Sequence, residues 1–166
     1  MSKDRLSHTV LKDIGFMLLA EGKTIRVRAD GLSMYPSIKS GSVIFIKPLE
    51  KDAELFTGEI IAWKRDSGIV VHRIISIYKQ KGQKFFVTRG DSSLAEDEPV
   101  LSEQIAGKVV RVENPEGKPV RPGKYINKKP NYNLNRFLVR IISQFYRAKR
   151  IFYSLRYPPT PPQGGL

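Results

Sequence analysis

The chain has 166 residues, 40% of them hydrophobic and 27% charged, which is typical of one globular domain with tails. It contains no cysteine, so disulfides, thiol nucleophiles and thiolate metal ligands are excluded, and its two histidines argue against a zinc site. The net charge of +13 lies almost wholly in the C-terminal part, where the residues from Gly117 onward include 11 Lys or Arg and no Asp or Glu.

An N-terminal helix is the first predicted element, within residues 1–23. Its apolar residues recur at spacings of three and four between residues 4 and 21, and Gly22 is a natural C-cap. No segment of the chain approaches the roughly 20 apolar residues of a transmembrane helix, and the N-terminus does not resemble a secretory signal. We therefore expect a cytoplasmic or peripherally membrane-associated protein.

A β domain is predicted next, over residues 24–116. Short segments rich in Val, Ile and Phe follow a period of two and are separated by turn residues. These segments are residues 24–29, 42–47, 59–64, 69–78, 84–88 and 105–112. Their length and spacing indicate a mainly β fold with antiparallel strands.

The C-terminal part begins with a predicted linker, residues 117–133, which is rich in Gly, Pro and Lys. Residues 134–156 then have a helical pattern, in which the arginines fall largely off an apolar seam. The seam consists of Leu134, Leu138, Ile141, Phe145, Ala148, Phe152 and Leu155. The Pro-rich residues 157–166 stop the helix and are predicted to form a disordered tail.

This basic amphipathic helix, from Leu134 to Arg156, predicts an anionic partner. A narrow apolar seam with aromatic residues and a basic face is typical of a helix that lies in a membrane surface. Two alternatives stay open: the seam packs on the domain as ordinary core, or the charge serves only solubility. Nucleic-acid binding shares the charge signature but has no recognisable reading motif here, so no nucleic-acid partner is expected.

The first candidate catalytic residue is Ser33, in the segment GLSMYP at residues 31–36. A nucleophilic serine must be exposed on a tight turn, where a carbonyl can approach it and backbone N–H groups point at the oxyanion. Gly31 permits an unusual backbone before it, Met34 follows it, and Pro36 stiffens the exit. On its own, this segment also fits a plain surface turn.

His72 and the acidic loop at residues 89–98 supply the other candidates. Period two places the imidazole of His72 among apolar neighbours, where it is partly desolvated and suited to act as a general base. Asp91 and Asp97 are two aspartates able to accept a hydrogen bond from it. Each has a simpler alternative: a structural histidine, and a loop that is acidic for solvation or weak cation binding.

Taken in this order, the segments resemble the signal peptidase I family of serine endopeptidases. Residues 31–41, GLSMYPSIKSG, are similar to its nucleophile box, and residues 58–63, GEIIAW, to the strand that leads to the base. Residues 71–74, VHRI, look like the base box of the archaeal and endoplasmic-reticulum form, in which His replaces the bacterial Lys. Residues 88–91, TRGD, followed by Asp97, resemble its last box.

The resemblance implies a signal-peptidase-like antiparallel β fold and cleavage of signal or leader peptides after small residues, without a cofactor. It implies Ser33 as the nucleophile, His72 as the general base and Asp97 as the residue that orients the imidazole, with Asp91 as the alternative. The Ser33 N–H is one expected oxyanion donor, and the second stays unassigned because Gly31 has no hydroxyl. We recognise no counterpart of the family's N-terminal membrane anchor, which leaves the natural substrate open.

Two other functions fit parts of the sequence. A self-cleaving repressor-type peptidase has a related catalytic domain, but it would need a DNA-binding domain before the nucleophile and a Lys in place of His72. A non-catalytic membrane-surface or scaffold protein would keep the fold without the activity. Because the candidate residues are all present, the sequence favours an enzyme.

Overall fold

Seven antiparallel strands form one sheet in the computed structural model, which describes residues 14–50, 53–65, 68–126 and 129–156. The strands are β1 (Ile25–Arg28), β2 (Val43–Lys47), β3 (Ile60–Arg65), β4 (Gly68–Gln80), β5 (Gln83–Arg89), β6 (Val100–Leu101) and β7 (Ile105–Glu113). Their order across the sheet is β1-β2-β7-β3-β4-β5-β6. Helix α1 covers residues 14–20, and helix α2 (Tyr132–Arg156) follows the sheet. The predicted fold class, mainly antiparallel β with an N-terminal and a C-terminal helix, is confirmed.

The predicted strand segments, which are rich in Val, Ile and Phe and bounded by turn residues, agree with every strand except β6 to within two residues at either end. β6 contains only Val100 and Leu101, which is too short for a periodic pattern, and it forms by pairing with Phe86 and Phe85 of β5. The N-terminal helix is described from residue 14 onward, and Gly22 follows it with a φ of 80°, as expected for a C-cap. Residues 1–13, with His8, and the predicted tail 157–166 lie outside the described residues.

Apolar side chains on the two faces of the sheet form two separate core clusters. Along β3, Ile60 and Ala62 belong to one cluster and Ile61 and Trp63 to the other, because successive residues of a strand point to opposite faces. β3 is thus buried on both sides, which explains why its sequence does not alternate apolar and polar residues. The strand that neighbours His72 is therefore held firmly in the middle of the sheet.

The segment predicted as a linker, residues 117–133, packs against the sheet over its described N-terminal half. Val120 N donates a hydrogen bond to Val112 O of β7 (2.8 Å), and Tyr125 is only 1% exposed. The ring of Tyr125 belongs to the larger core cluster. The composition misled the prediction because Gly and Pro suit tight turns on a domain as well as linkers that leave it.

Helix α2 packs one side on the domain and leaves most of the described residues of its apolar seam exposed, whereas Leu138 is half-buried. Asn135 is buried and Val139 and Ile142 are half-buried, whereas Ile141 and Phe145 are exposed. These exposed seam residues are not part of the core, which argues against the alternative that the seam packs on the domain as ordinary core. Within the described parts of the chain, neither helix has the length and hydropathy that crossing a bilayer requires.

A buried ion pair ties the sheet to the loops around it. Arg73 on β4 and Asp91 in the loop after β5 have side chains that are 2% and 0% exposed. The guanidinium donates to both carboxylate oxygens, from Nε and from Nη2, each at 2.8 Å. It also donates to the carbonyl oxygens of Gly58 and Tyr125 (2.7 and 2.6 Å) and to the Ser37 hydroxyl (3.3 Å). All N–H donors of the guanidinium are thus paired, as a buried charge requires.

Arg73→Met should lower the free energy of unfolding by about 3–5 kcal/mol, because it leaves the Asp91 carboxylate buried without its partner. Urea denaturation followed by circular dichroism measures this loss. The matched control is Arg111→Met, which breaks an exposed ion pair with Glu113 and should cost less than about 1 kcal/mol. Equal losses in the two variants would contradict the role assigned to the buried pair.

Candidate active site

The turn that carries Ser33 is held from two sides. Met34 and Ile38, which follow Ser33, are 5% and 2% exposed and belong to the core. From the other side, the Ser92 N–H donates to Ser33 O (2.8 Å), and the Ser92 hydroxyl donates to Leu32 O (2.7 Å). Ser33 itself is exposed. The structure therefore presents the predicted nucleophile on a turn with a fixed backbone.

Gly31 does not adopt the unusual backbone that a glycine permits, since its φ lies outside the left-handed region. A Cβ built on Gly31 would have Ser33 N, at 4.0 Å, as its nearest neighbour. The glycine therefore leaves open the space beside the Ser33 N–H, the predicted oxyanion donor. At the exit of the turn, the peptide bond between Tyr35 and Pro36 is cis.

His72 and Asp97 are joined by a short hydrogen bond. His72 lies on β4 opposite Ile61 of β3, and its side chain is 12% exposed. Its Nδ1 is 2.5 Å from Asp97 Oδ2. Because the carboxylate occupies Nδ1, Nε2 is the ring nitrogen that is left for a reacting group.

Three further contacts hold the Asp97 carboxylate and its backbone. Thr88 Oγ1 donates to Oδ2 (2.7 Å), Arg65 Nη2 donates to Oδ1 (3.0 Å), and the Asp97 N–H donates to Thr88 O (2.8 Å). Burial acts to raise the pKa of Asp97, but the hydrogen bonds from His72 and Thr88, with the charges of His72 and Arg65, outweigh burial and lower the pKa. Asp97 is therefore an ionised acceptor at neutral pH.

Asp91, the alternative partner of His72, is occupied elsewhere. Both its carboxylate oxygens accept hydrogen bonds from Arg73, and its backbone carbonyl accepts one from Asn135 Nδ2 of α2 (2.8 Å). The structure brings Asp97, and not Asp91, against the imidazole. Asp91 instead fixes the start of the loop that contains Asp97.

Gly90 lies where the serine turn meets the histidine. A Cβ built on Gly90 would be 2.8 Å from Ser33 O and 3.0 Å from His72 Nε2, both too close for ordinary contact. It would also be 2.3 Å from Ser93 Oγ. Ser33 and His72 therefore approach the same point from two sides, and a glycine leaves room for both.

The sequence analysis assigned no individual role to Arg65, Thr88 or Gly90, although Thr88 and Gly90 lie in the TRGD segment. Arg65 and Thr88 look like ordinary strand residues, since their contacts with Asp97 span 32 and 9 positions of the chain. Gly90 offered a usable signal, because it is a glycine between two charged residues directly after a strand. Close approach of two loops often requires a glycine at such a position.

No metal site is found at these residues. Among the described parts of the chain, no three His, Asp or Glu side chains converge in a way that would hold a metal ion.

A family model described as Peptidase S24-like matches residues 6–110. The match covers more than half of the chain and includes Ser33, His72 and Asp97, so the chain belongs to the Peptidase S24-like family. No curated protein matches the chain. The family covers self-cleaving repressors and signal-peptidase-like enzymes, and it supports a serine peptidase in general.

Gly90→Ala should reduce kcat/KM for peptide cleavage at least about 100-fold, because the added methyl group pushes the Ser33 turn and His72 apart. The matched control is Gly123→Ala, since a Cβ built on Gly123 has no atom within 4 Å and the variant should keep wild-type activity. Thermal unfolding of both variants checks that the fold is intact. Wild-type kcat/KM in folded Gly90→Ala would show that the close approach is not required.

Asp97→Asn should remove a pH-dependent contribution to stability. Because the pKa of Asp97 is lowered in the folded state, the unfolded chain binds this proton more readily. The carboxylate therefore stabilises the fold above the ordinary aspartate pKa of about 3.9, and the stabilisation is lost as the pH falls through the lower folded-state value.

Urea denaturation of wild type and Asp97→Asn from about pH 6 to about pH 2 measures this contribution as the gap between the two unfolding free energies. We expect the gap to narrow toward acid. Asp30→Asn is the control, because Asp30 is exposed and lies 3.8 Å from Arg28, so its stability should follow the wild type. A gap that is constant across the range would contradict the prediction.

Proposed function

We propose that this member of the Peptidase S24-like family is a serine endopeptidase of the signal-peptidase type, which cleaves signal or leader peptides after small residues. One observation supports it above others: three segments distant in sequence converge so that His72 binds Asp97 through Nδ1 and has Nε2 beside the Ser33 turn. A nucleophile, a base that takes its proton and a carboxylate that orients the base form the arrangement that acyl transfer needs.

The proposed mechanism follows from these contacts. Ser33 Oγ attacks the scissile carbonyl carbon while His72 Nε2 takes the hydroxyl proton. The Asp97 carboxylate stabilises the imidazolium that forms and keeps Nδ1 protonated. The imidazolium then gives its proton to the leaving amine, and a water molecule, activated by the same base, hydrolyses the acyl-enzyme.

The oxyanion is proposed to bind at the backbone N–H of Ser33. The space beside this N–H is open because Gly31 has no side chain. A preorganised donor aimed at the developing charge typically contributes about 10²–10³ in kcat. The Ser92 hydroxyl donates to Leu32 O (2.7 Å), which lies in the same peptide unit as the Ser33 N–H, and this bond keeps the donor in place.

A groove beside Ser33 is suited to an extended peptide. Within the described residues, β1 pairs with β2 alone, and β4 pairs with β5 only from Arg73 onward. Residues of β1 and of the first part of β4 both line a cavity of about 190 Å³ that also reaches Ser33. Exposed strand edges bind peptides by adding a strand, through main-chain hydrogen bonds.

The lining of this cavity supports the preference for small residues. Its walls include Val27, Ile44, Ile69 and Val71, which leave an apolar space of limited size. In an extended peptide the side chains at the −1 and −3 positions lie on the same face, because strand side chains alternate. Both would therefore enter the cavity together, which favours small apolar residues at each.

A self-cleaving repressor-type activity is the second candidate, because the same family covers it. In that case the scissile bond would belong to the chain itself, and cleavage would be detected as a Ser33-dependent change in its own mass. A fold kept only for binding is the third outcome, and it would give no cleavage at all.

The test is cleavage of a peptide library with small and large residues varied at −3 and −1, followed by mass spectrometry of both peptides and enzyme. We expect cuts after small residues, and a loss of at least about 10³-fold in kcat for Ser33→Ala and His72→Ala. His8→Ala is the matched histidine control and should cleave like the wild type. Equal cleavage by wild type and Ser33→Ala would overturn the proposal, and so would cuts that ignore residue size.

A further inference from the structure

The exposed side of α2 carries a continuous set of large apolar side chains, here called the apolar stripe. Its members are Leu134 (51% exposed), Phe137 (59%), Ile141 (52%), Phe145 (71%) and Phe152 (61%). At 100° per residue these positions span about 80° around the helix axis. A soluble surface rarely exposes so many large apolar residues in one row without a partner.

The same helix has a row of arginines beside the stripe. Arg136, Arg140 and Arg147 lie one or two turns apart, and their positions are about 120° from the centre of the stripe around the helix axis. The side that faces the domain, with Asn135 and Val139, occupies the remaining arc. α2 thus has three distinct sides: one bound to the domain, one apolar and one basic.

The charge distribution selects among the partners that such a helix can have. From Gly117 to the end, the chain has 11 basic residues and no acidic residue, so a second copy of α2 would meet like charge. A nucleic acid would use the arginines but would leave the aliphatic part of the stripe in water. An anionic bilayer satisfies both, because its headgroups attract arginine and its acyl chains receive apolar side chains.

We propose that α2 is an in-plane membrane helix, which lies in the surface of an anionic bilayer with its apolar stripe in the acyl boundary and its arginine row among the headgroups. The proposal concerns where the protein acts and holds independently of which peptide it cleaves. Phe145, the most exposed member of the stripe, is expected to insert deeply.

The first turn of α2 also joins this surface to the catalytic loop. Asn135 is 6% exposed and its Nδ2 donates to Asp91 O (2.8 Å), while Arg89 stacks on the Tyr132 ring at 3.7 Å. The residue after Asp91, Ser92, binds the Ser33 turn. Because two hydrogen bonds and one peptide unit separate α2 from the nucleophile turn, the bound helix keeps the active site close to the membrane surface.

The test is co-sedimentation of the full chain with vesicles of equal parts phosphatidylglycerol and phosphatidylcholine, compared with vesicles of phosphatidylcholine alone. We expect binding to the anionic vesicles only, weakened by salt. Phe137→Ser/Phe145→Ser should bind roughly tenfold or more weakly, and Arg140→Gln/Arg147→Gln should show a similar loss.

Matched controls remove the same residue types elsewhere. Phe56→Ser changes a phenylalanine that is 59% exposed, as Phe137 is, and Lys79→Gln/Lys81→Gln removes two exposed charges from the β4–β5 hairpin. Both should bind like the wild type, as should Ser33→Ala, so a failure of the proposed peptidase activity leaves this test intact.

Three results would overturn the proposal. The first is a failure of the binding pattern: equal binding to anionic and neutral vesicles, or binding by the stripe and arginine variants that equals that of the wild type. The second is a dimer in sedimentation velocity that depends on the stripe, which would assign the surface to a second copy. The third is binding of single-stranded RNA or DNA without vesicle binding, which would assign it to nucleic acid. Circular dichroism and thermal unfolding of the helix variants, without vesicles, check that they fold.

Discussion

The buried guanidinium of Arg73 is the constraint on which the arrangement of the active site depends. A charge that is 2% exposed is tolerated only where its N–H groups have acceptors, and these come from separate segments that contain Ser37, Gly58, Asp91 and Tyr125. The serine turn, the approach to β3, the loop after β5 and the segment before α2 are thus joined at one point. None of these acceptors belongs to a strand, so ladder hydrogen bonds alone would not fix them.

The strand that holds this charge also carries His72, the proposed catalytic base. His72 and Arg73 are successive residues of β4, and each binds a different aspartate of the same loop. Asp97 binds His72, and Asp91 binds Arg73. Two charge-assisted hydrogen bonds fix Asp91 at the start of the loop. Because the loop then has little conformational freedom, Asp97 is held against the imidazole. Burying the two charges costs several kcal/mol, and their attraction largely serves to offset that cost. The clear effect of the pair is therefore to fix the positions of Arg73 and Asp91, and its net contribution to stability is smaller. Catalysis needs this position, since a misplacement of about 1 Å can cost two orders of magnitude in rate.

The sequence predicted what depends on local pattern and missed what depends on distant contacts. Most strands followed from period two, and the candidate residues Ser33, His72 and Asp97 came from motifs that resemble, in their order, those of a known family. The sequence did not predict that Asp91 pairs with Arg73. The two residues are 18 positions apart, and Arg73 looks like a solvent-facing charged residue of a strand in which apolar and polar residues alternate. The packing of residues 117–126 was missed for the same reason: Tyr125 is buried in the larger core cluster and its hydroxyl donates to Val110 O of β7, which a segment rich in Gly and Pro does not reveal.

The attachment of α2 has a thermodynamic consequence for the catalytic loop. The Asn135 side chain binds Asp91 O only when the first turn of the helix is docked, so docking of α2 and ordering of the loop favour each other. A surface that binds the docked helix more tightly than the undocked one therefore also stabilises the loop, by the same coupling free energy. An in-plane membrane helix is expected to bind more tightly when α2 is docked. An undocked α2 would lose its contacts with the domain and the ordered first turn that these contacts support. The membrane would then act as more than a location: it would favour the loop conformation in which Asp97 meets His72.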